Sequence, residues 1–213
     1  TNHMGFRCAA DIEQFPVLWD GLYGTDGSNL YLIDKTTGIS SLIGPHGIVE
    51  FYIGALAFDD SGNLYGMSVG EDARLYTIDT TNGAATAVGL LGLDYVFEGG
   101  LEFNASGVLF GVDEGSAGNA KTFTINTETG QAMILGPTPG EERDLNGLAY
   151  DGEDFYAIDR VTSSFGTLDS TTGAFTQIGP LGVAMEGMGG LAIDPSDGTM
   201  YATISGDESF NSI

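Results

Sequence analysis

Short apolar runs alternate with turn residues along the whole chain, and residues 54–89 show this pattern most clearly. Each run there has the length of a strand and is rich in β-branched or aromatic residues. The four runs cover residues 55–58, 64–67, 75–78 and 85–88. Polar turn sequences separate the first pair and the last pair. The pattern predicts four consecutive antiparallel strands, which we call A to D.

The same unit then recurs along the chain. The leucine of strand A returns as Leu56, Leu101, Leu148 and Leu191, at intervals of about 45 residues. A repeat of this length with four strands per unit is the signature of a β-propeller. We therefore predict an all-β fold, a five-bladed β-propeller of four-stranded antiparallel blades in which the fifth blade is incomplete. The predicted propeller covers residues 15–213, with blades at about 15–47, 54–92, 99–138, 146–182 and 189–213.

The two ends of the chain depart from the repeat. Residues 17–20 are the predicted strand A of the first blade, and residues 210–213 are the predicted strand C of the last blade, which lacks a strand D. Residues 1–14 are interpreted as a leader or as the remnant of a preceding domain. Either this segment supplies the missing strand, with residues 4–9 as its most strand-like part, or the chain is a piece of a longer protein. We favour the second alternative.

The C–D turns share one chemistry. Each turn opens on an Asp or Asn whose side chain can accept hydrogen bonds from the backbone two residues on, and each closes on a glycine suited to a positive φ. The opening residues are Asp34, Asp79, Asn126 and Asp169. We expect these turns to be structural, because a single turn offers too few oxygens for a calcium site.

Residues 2–11 lie outside the repeat and contain the run Gly5-Phe6-Arg7-Cys8. This segment resembles the C-terminal end of the formylglycine-generating enzyme (sulfatase-modifying factor) family. The resemblance implies that such a domain precedes this chain in the polypeptide. The resemblance assigns no catalytic role to any residue of this chain, and Cys8 would be structural.

Charge and composition exclude several classes of partner. The chain carries 30 acidic and only 6 basic residues, for a net charge of −24. We therefore expect no nucleic-acid partner and no binding to anionic membranes through a basic patch. No apolar run approaches the ~18 residues that a membrane-spanning helix needs, so we expect no membrane insertion. The single cysteine excludes an internal disulfide framework. This composition suits an extracellular or periplasmic bacterial protein.

The loops that vary between blades indicate where a ligand would bind. In an alternating meander the B–C loops and the D–A crossovers lie at the same end, and variable loops on a rigid frame are where function usually resides. The crossovers bring acidic residues close to each strand A, which predicts carboxylates at the mouth of the central channel. The candidate metal ligands are Glu50, Glu98, Asp144 and Glu186. Calcium is the natural partner of such a cluster, and a solvated acidic rim is the alternative.

Residues for other chemistry are scarce. The chain has two histidines, His3 and His46, and one cysteine, which excludes metal sites built from these residues. Runs such as Leu-Tyr-Leu-Ile-Asp and Asp-Lys-Thr-Thr-Gly resemble secreted bacterial β-propeller repeats of uncharacterised function. We predict a non-enzymatic binding or scaffold propeller with a protein or carbohydrate ligand on the acidic face. The alternatives are a calcium-dependent lactonase-type hydrolase that uses these carboxylates and Asn146, and a recognition module attached to a formylglycine-generating domain.

Overall fold

The computed structural model describes residues 21–49, 51–113, 120–137, 143–185, 187 and 189–204, and the backbone alone at 7–10 and 210–212. All regular elements in these ranges are strands. The first sheet contains β1 (Arg7–Ala10), β2 (Gly21–Thr25), β3 (Asn29–Asp34) and β4 (Ser40–Pro45). The second contains β5 (Ile53–Phe58), β6 (Leu64–Ser68), β7 (Arg74–Ile78) and β8 (Ala85–Leu90). The third contains β9 (Gly99–Phe103), β10 (Leu109–Asp113), β11 (Lys121–Ile125) and β12 (Ala132–Pro137). The fourth contains β13 (Leu145–Tyr150), β14 (Phe155–Asp159), β15 (Ser164–Leu168) and β16 (Phe175–Pro180). The fifth contains β17 (Gly189–Ile193), β18 (Met200–Ile204) and β19 (Phe210–Ser212).

The sheets are antiparallel meanders arranged around an axis. Within each sheet the strands are hydrogen-bonded in chain order, in four sheets of four strands and one of three. The first strands of the sheets contact one another in turn: β1 lies against β5 and β17, β5 against β9, β9 against β13, and β13 against β17. These contacts make the chain an all-β propeller with four four-stranded blades and an incomplete further blade.

The first blade differs from the prediction at its inner strand. The structure pairs Arg7–Ala10 with Gly21–Thr25, in the register Arg7 to Thr25. The inner strand of this sheet is therefore β1 and not residues 17–20, which lie outside the described residues. Residues 7–9 therefore do not supply the outer strand of the last blade, because β1 is hydrogen-bonded to β2 as the first strand of the first sheet, while residues 4–6 lie outside the described residues. The predicted strand C of that blade is confirmed at Phe210–Ser212.

Apolar side chains of each inner strand pack between neighbouring sheets. Leu56 and Phe58 of the second sheet share a cluster with Tyr23 of the first, and the Tyr23 and Phe58 rings meet edge to face at 5.2 Å. Leu101 and Phe103 of the third sheet likewise pack against the second. All five side chains are at most 8% exposed. The expected inter-blade core is thus confirmed for these sheets, and its burial supplies most of the driving force for folding.

The C–D turns also form as expected. Asp34 Oδ1 accepts the Thr36 and Thr37 backbone N–H groups at 2.9 and 2.8 Å, and Gly38 closes the turn with a φ of 70°. The equivalent carboxylate of Asp169 makes the same two bonds. These bonds to the ionised form hold the pKa of both carboxyl groups below its usual value.

Glycines allow the inner strands to approach each other closely around the axis. A Cβ placed on Gly100 of β9 would lie 2.4 Å from the backbone nitrogen of Leu148 in β13. One placed on Gly147 of β13 would lie 2.7 Å from the backbone nitrogen of Leu191 in β17. Neighbouring inner strands therefore pack backbone to backbone at these points, which explains the glycines that precede each strand-A leucine.

Replacement of Gly100 by alanine should therefore destabilise the propeller by about 2 kcal/mol, because the added methyl group meets backbone atoms that cannot move aside alone. Urea unfolding followed by circular dichroism measures the effect. Gly179→Ala is the matched control, since Gly179 is also in a strand and has no heavy atom within 4 Å of the added Cβ. Equal stability of the two variants would show that β9 and β13 are not in backbone contact.

Candidate functional site

Two of the four predicted metal ligands are described, and they lie at the same end of neighbouring inner strands. Glu98 directly precedes β9 and is 8% exposed, while Asp144 directly precedes β13 and is 5% exposed. Because β9 and β13 contact each other and both begin at the crossover end, the two carboxylates belong to one end of the axis. Glu50 and Glu186 lie outside the described residues. We call the end formed by Glu98, Asp144 and Asn146 the axial site.

Two ion pairs connect the loops of the fourth sheet at the axial site. Arg143 Nη1 donates to Asp159 Oδ2 at 2.7 Å, and Arg160 pairs with Asp144. Residues 143 and 144 precede β13, whereas 159 ends β14 and 160 follows it. Each of the two ion pairs therefore connects the D–A crossover to the start of the B–C loop. Asn146 Nδ2 donates to Asp144 Oδ1 at 2.7 Å, which gives that carboxylate a second partner besides Arg160.

Asp159 is the fully buried carboxylate of this network. Its side chain has no exposed surface, and besides Arg143 it accepts bonds from Thr162 Oγ1 at 2.8 Å and from the backbone nitrogens of Asp144 and Val161 at 3.3 and 3.2 Å. Such a buried charge is tolerated only because it is paired and hydrogen-bonded. Its role is therefore to shape the loops that carry the axial site.

Sequence reasoning missed Asp159 although the repeat contained a signal for it. The residue that ends strand B is Ser68 in the second sheet, Asp113 in the third and Asp159 in the fourth, and all three are fully buried. Each binds the loop beside it: Ser68 Oγ accepts the Arg74 backbone N–H, and Asp113 Oδ1 accepts the Phe97 backbone N–H, both at 2.9 Å. A polar residue that recurs at the end of an apolar strand could have predicted a side chain that hydrogen-bonds to the adjacent loop.

Glu102 in β9 is a second acidic residue that sequence reasoning missed. It shares a face of the strand with Gly100, and this face lies against β13. Burial raises the pKa of the Glu102 carboxyl to about 8, although a bond of 2.8 Å from the Phe103 backbone N–H opposes the shift. Part of the residue's surface remains accessible to solvent. Glu102 is therefore protonated at neutral pH.

His46 serves the structure and does not belong to the axial site. Its Nδ1 lies 2.9 Å from the Gly83 carbonyl oxygen and its Nε2 2.9 Å from Thr25 Oγ1, so the ring joins the first sheet to a turn of the second. The carbonyl oxygen can only accept, which places the proton on Nδ1 and makes Nε2 the acceptor from Thr25. Burial lowers the pKa of His46 and keeps the ring neutral.

The described residues do not by themselves assemble a calcium site. Glu98, Asp144 and Asn146 offer oxygens, which are the ligands that calcium prefers. However, no three His, Cys, Asp or Glu side chains within the described ranges lie close enough together to hold a metal ion. Asp144 is also committed to Arg160 and Asn146. The axial site is therefore better described as a network of ion pairs and hydrogen bonds than as a metal cage.

Comparison with known proteins identifies the fold alone. No family model matches the chain, and no curated protein matches it. Among solved structures, regucalcin, a calcium-binding protein from Agrobacterium tumefaciens, is 14% identical with a TM-score of 0.58, over 94% of this chain and 68% of its own. A gluconolactonase from Xanthomonas campestris is 13% identical with a TM-score of 0.56, over 94% and 70%. The PQQ-bound aldose sugar dehydrogenase from Streptomyces coelicolor is 12% identical with a TM-score of 0.56, over 99% and 81%.

These likenesses overturn the prediction that the chain is not an enzyme. That prediction rested on the scarcity of histidine and cysteine, yet proteins described as a gluconolactonase and an aldose sugar dehydrogenase have the same fold.

The comparisons give no support to the resemblance of residues 2–11 to formylglycine-generating enzymes. The described part of the chain contains no helix whose length and hydrophobicity would let it cross a membrane.

Proposed function

We propose that the chain is a lactonase-type hydrolase that opens sugar lactones at the axial site. The observation that carries this proposal is that two buried acidic residues, Glu98 and Asp144, directly precede two contacting inner strands at one end of the axis. Buried acidic groups at the mouth of a propeller axis are suited to proton transfer. The gluconolactonase and the sugar dehydrogenase among the fold neighbours suggest the substrate class.

The proposed chemistry is the hydrolysis of a cyclic ester. Glu98 takes a proton from a water molecule, whose oxygen attacks the lactone carbonyl carbon. The guanidinium of Arg160, whose side chain is 37% exposed, stabilises the negative charge that develops on the carbonyl oxygen. The ring C–O bond then breaks, and Glu98 returns the proton to the leaving oxygen to give the open hydroxy acid. Asn146 positions Asp144, which in turn positions Arg160.

The charge of the protein favours release of the product of this reaction. A sugar lactone is neutral and approaches without repulsion, whereas its product is a carboxylate. A chain of net charge −24 repels that anion from an acidic channel mouth. Electrostatics therefore assists product release and disfavours product inhibition.

Hydrolysis of δ-gluconolactone, followed by acid release at constant pH, tests the proposal. Glu98→Gln should lower kcat at least about 100-fold, because a positioned general base contributes two to four orders of magnitude. Glu128→Gln makes the same change of charge in an exposed C–D turn and should leave the rate unchanged. Hydrolysis by the unaltered protein at the uncatalysed rate would overturn the proposal, as would equal rates in the two variants.

Calcium binding by Glu50, Glu98, Asp144 and Glu186 remains a separate proposal. The support for it is the acidic channel mouth and the calcium-binding regucalcin among the fold neighbours. The same assay in EDTA and in calcium chloride tests it, since a calcium enzyme loses activity in EDTA and regains it with calcium.

Closure of the five sheets into one five-bladed ring, and an exported location, are likewise proposed.

A further inference from the structure

A second concave site lies at the same end of the propeller as the axial site, among the loops next to the second sheet. It is a cavity of about 360 Å³ between the D–A crossover before β5, the B–C loop after β6 and the crossover before β9. Three aromatic side chains and two carboxylates line it. These are Phe51, Tyr52, Tyr95, Glu71 and Asp72. We call this cavity the aromatic pocket.

Gly70 brings the aromatic walls of the pocket together. Its φ of 116° is a conformation that favours glycine, and an added Cβ would lie 3.1 Å from the Phe51 ring, so that ring rests on the Gly70 backbone. Gly70 also exchanges two backbone hydrogen bonds with Val96, at 2.8 and 3.0 Å. This bridge holds Tyr95, the residue before Val96, in the lining of the same pocket. Backbone contacts therefore build the pocket before any ligand arrives.

The aromatic surface of the pocket is unusually accessible. Tyr52 is 46% exposed and Tyr95 is 40% exposed, whereas the aromatic residues of the core are nearly all buried. The Tyr95 ring is held by the Phe97 ring, with centroids 4.4 Å apart. Exposed aromatic rings fixed in a concavity commonly mark a binding site.

The charges around the aromatic pocket select a cation. Glu71 and Asp72 are both exposed, so their carboxylates add negative potential at its rim. The face of an aromatic ring attracts a cation as well, and rings combined with carboxylates recognise alkylated ammonium groups. A neighbouring cavity of about 330 Å³ shares Phe51 and Asp72 but is also lined by Arg74, whose positive charge disfavours a cation there. We infer that the aromatic pocket binds a small organic ammonium ion.

Titration of the full chain with choline, followed by amide chemical shifts, tests this inference. We expect a dissociation constant in the millimolar range, with shifts centred on Gly70 and Tyr95. Choline's neutral isostere, 3,3-dimethylbutan-1-ol, has the same shape without the charge and should bind at least fivefold more weakly. Equal binding of the two compounds would show an apolar pocket and overturn the inference, as would the absence of saturable choline binding.

Two variants locate the site. Tyr95→Leu keeps an apolar side chain of this exposed residue and should weaken choline binding at least fivefold. The double variant Glu71→Gln, Asp72→Asn should weaken it by a similar factor at low salt, and by less as salt screens the charges. The matched control is Glu153→Gln, Asp154→Asn, which changes an exposed Glu-Asp pair in the A–B turn of the fourth sheet. Unchanged binding in Tyr95→Leu, or equal loss in the two double variants, would contradict a site in the aromatic pocket.

Discussion

Replacement of Asp159 by alanine should lower the free energy of unfolding by about 4 kcal/mol, which in a chain of this size corresponds to a fall in Tm of about 10 °C. The Asp159 side chain is fully buried and pairs with Arg143, whose side chain is only 17% exposed. Removal of the carboxylate leaves that guanidinium partly buried without its counter-charge. It also removes the acceptor for Thr162 and for two backbone N–H groups.

The comparison of Asp159→Ala with Asp60→Ala separates this effect from a general change of charge. Asp60 is exposed in the A–B turn of the second sheet, and its removal should change stability by less than about 0.5 kcal/mol. Urea unfolding of both variants at one pH and ionic strength gives the difference. Similar stability of the two would mean that the buried network adds nothing to the fold.

A double-mutant cycle identifies the part of the loss that belongs to the ion pair. Arg143→Met keeps the apolar stem that lies near Phe175, where the guanidinium carbon is now 4.9 Å from the ring centroid. Combined with Asp159→Ala, it removes the uncompensated charge. The double variant should therefore be more stable than the sum of the single effects predicts, by about 2 kcal/mol. Strict additivity would assign the loss to the hydrogen bonds with Thr162 and the backbone.

The repeated strands could be predicted from the sequence because several local signals agreed. In residues 54–89 the predicted runs coincide within two residues with β5 to β8. Apolar periodicity, turn residues and glycine positions all repeat, and each of these signals acts over a few residues. The inner strand of the first sheet was placed wrongly for the same reason. Arg7–Ala10 carries none of the strand-A sequence, and only pairing with Gly21–Thr25 defines it.

The candidate site was less accessible to prediction because its contacts cross between loops. The alternation of strands and loops predicted that Glu98 and Asp144 lie at the end of the propeller that carries the D–A crossovers. It could not show that Asp144 is held by Arg160, or that Arg143 reaches Asp159, because these pairs depend on how the crossover folds against the B–C loop. The aromatic pocket could not be predicted for the same reason, since Gly70 and Val96 are distant in sequence and meet through two backbone hydrogen bonds.

Glu102 is the residue that departs most clearly from its repeat. The position that follows the strand-A leucine is Ala57, Ala149 and Ala192 in the other described inner strands after β1, and each alanine is completely buried. In β9 the same position carries a carboxyl group that faces β13. A small apolar residue suits this crowded face, so the neutral form of the acidic side chain is favoured there.

The raised pKa of Glu102 makes the stability of the protein depend on pH. The carboxyl has an ordinary pKa of 4.5 when the chain is unfolded and about 8 when it is folded. Between these values the folded state holds a proton that the unfolded state has released, so the free energy of unfolding falls as pH rises. The contribution is complete below about pH 4.5, is lost between pH 4.5 and 8, and changes little above pH 8.

Glu102→Gln should therefore be more stable than the unaltered protein at pH 9, by about 3 kcal/mol once partial solvent access is allowed for, and nearly equal to it at pH 4.5. Glutamine matches the size of the neutral acid and does not titrate. Urea unfolding of both proteins from pH 4.5 to 9 measures the difference, and subtraction removes the effects of His46 and the turn aspartates, which both proteins share. Glu128→Gln, an exposed glutamate in the same sheet, should show no such trend. A difference between the unaltered protein and Glu102→Gln that stays constant across this range would mean that the Glu102 carboxyl is solvated and charged in the folded propeller.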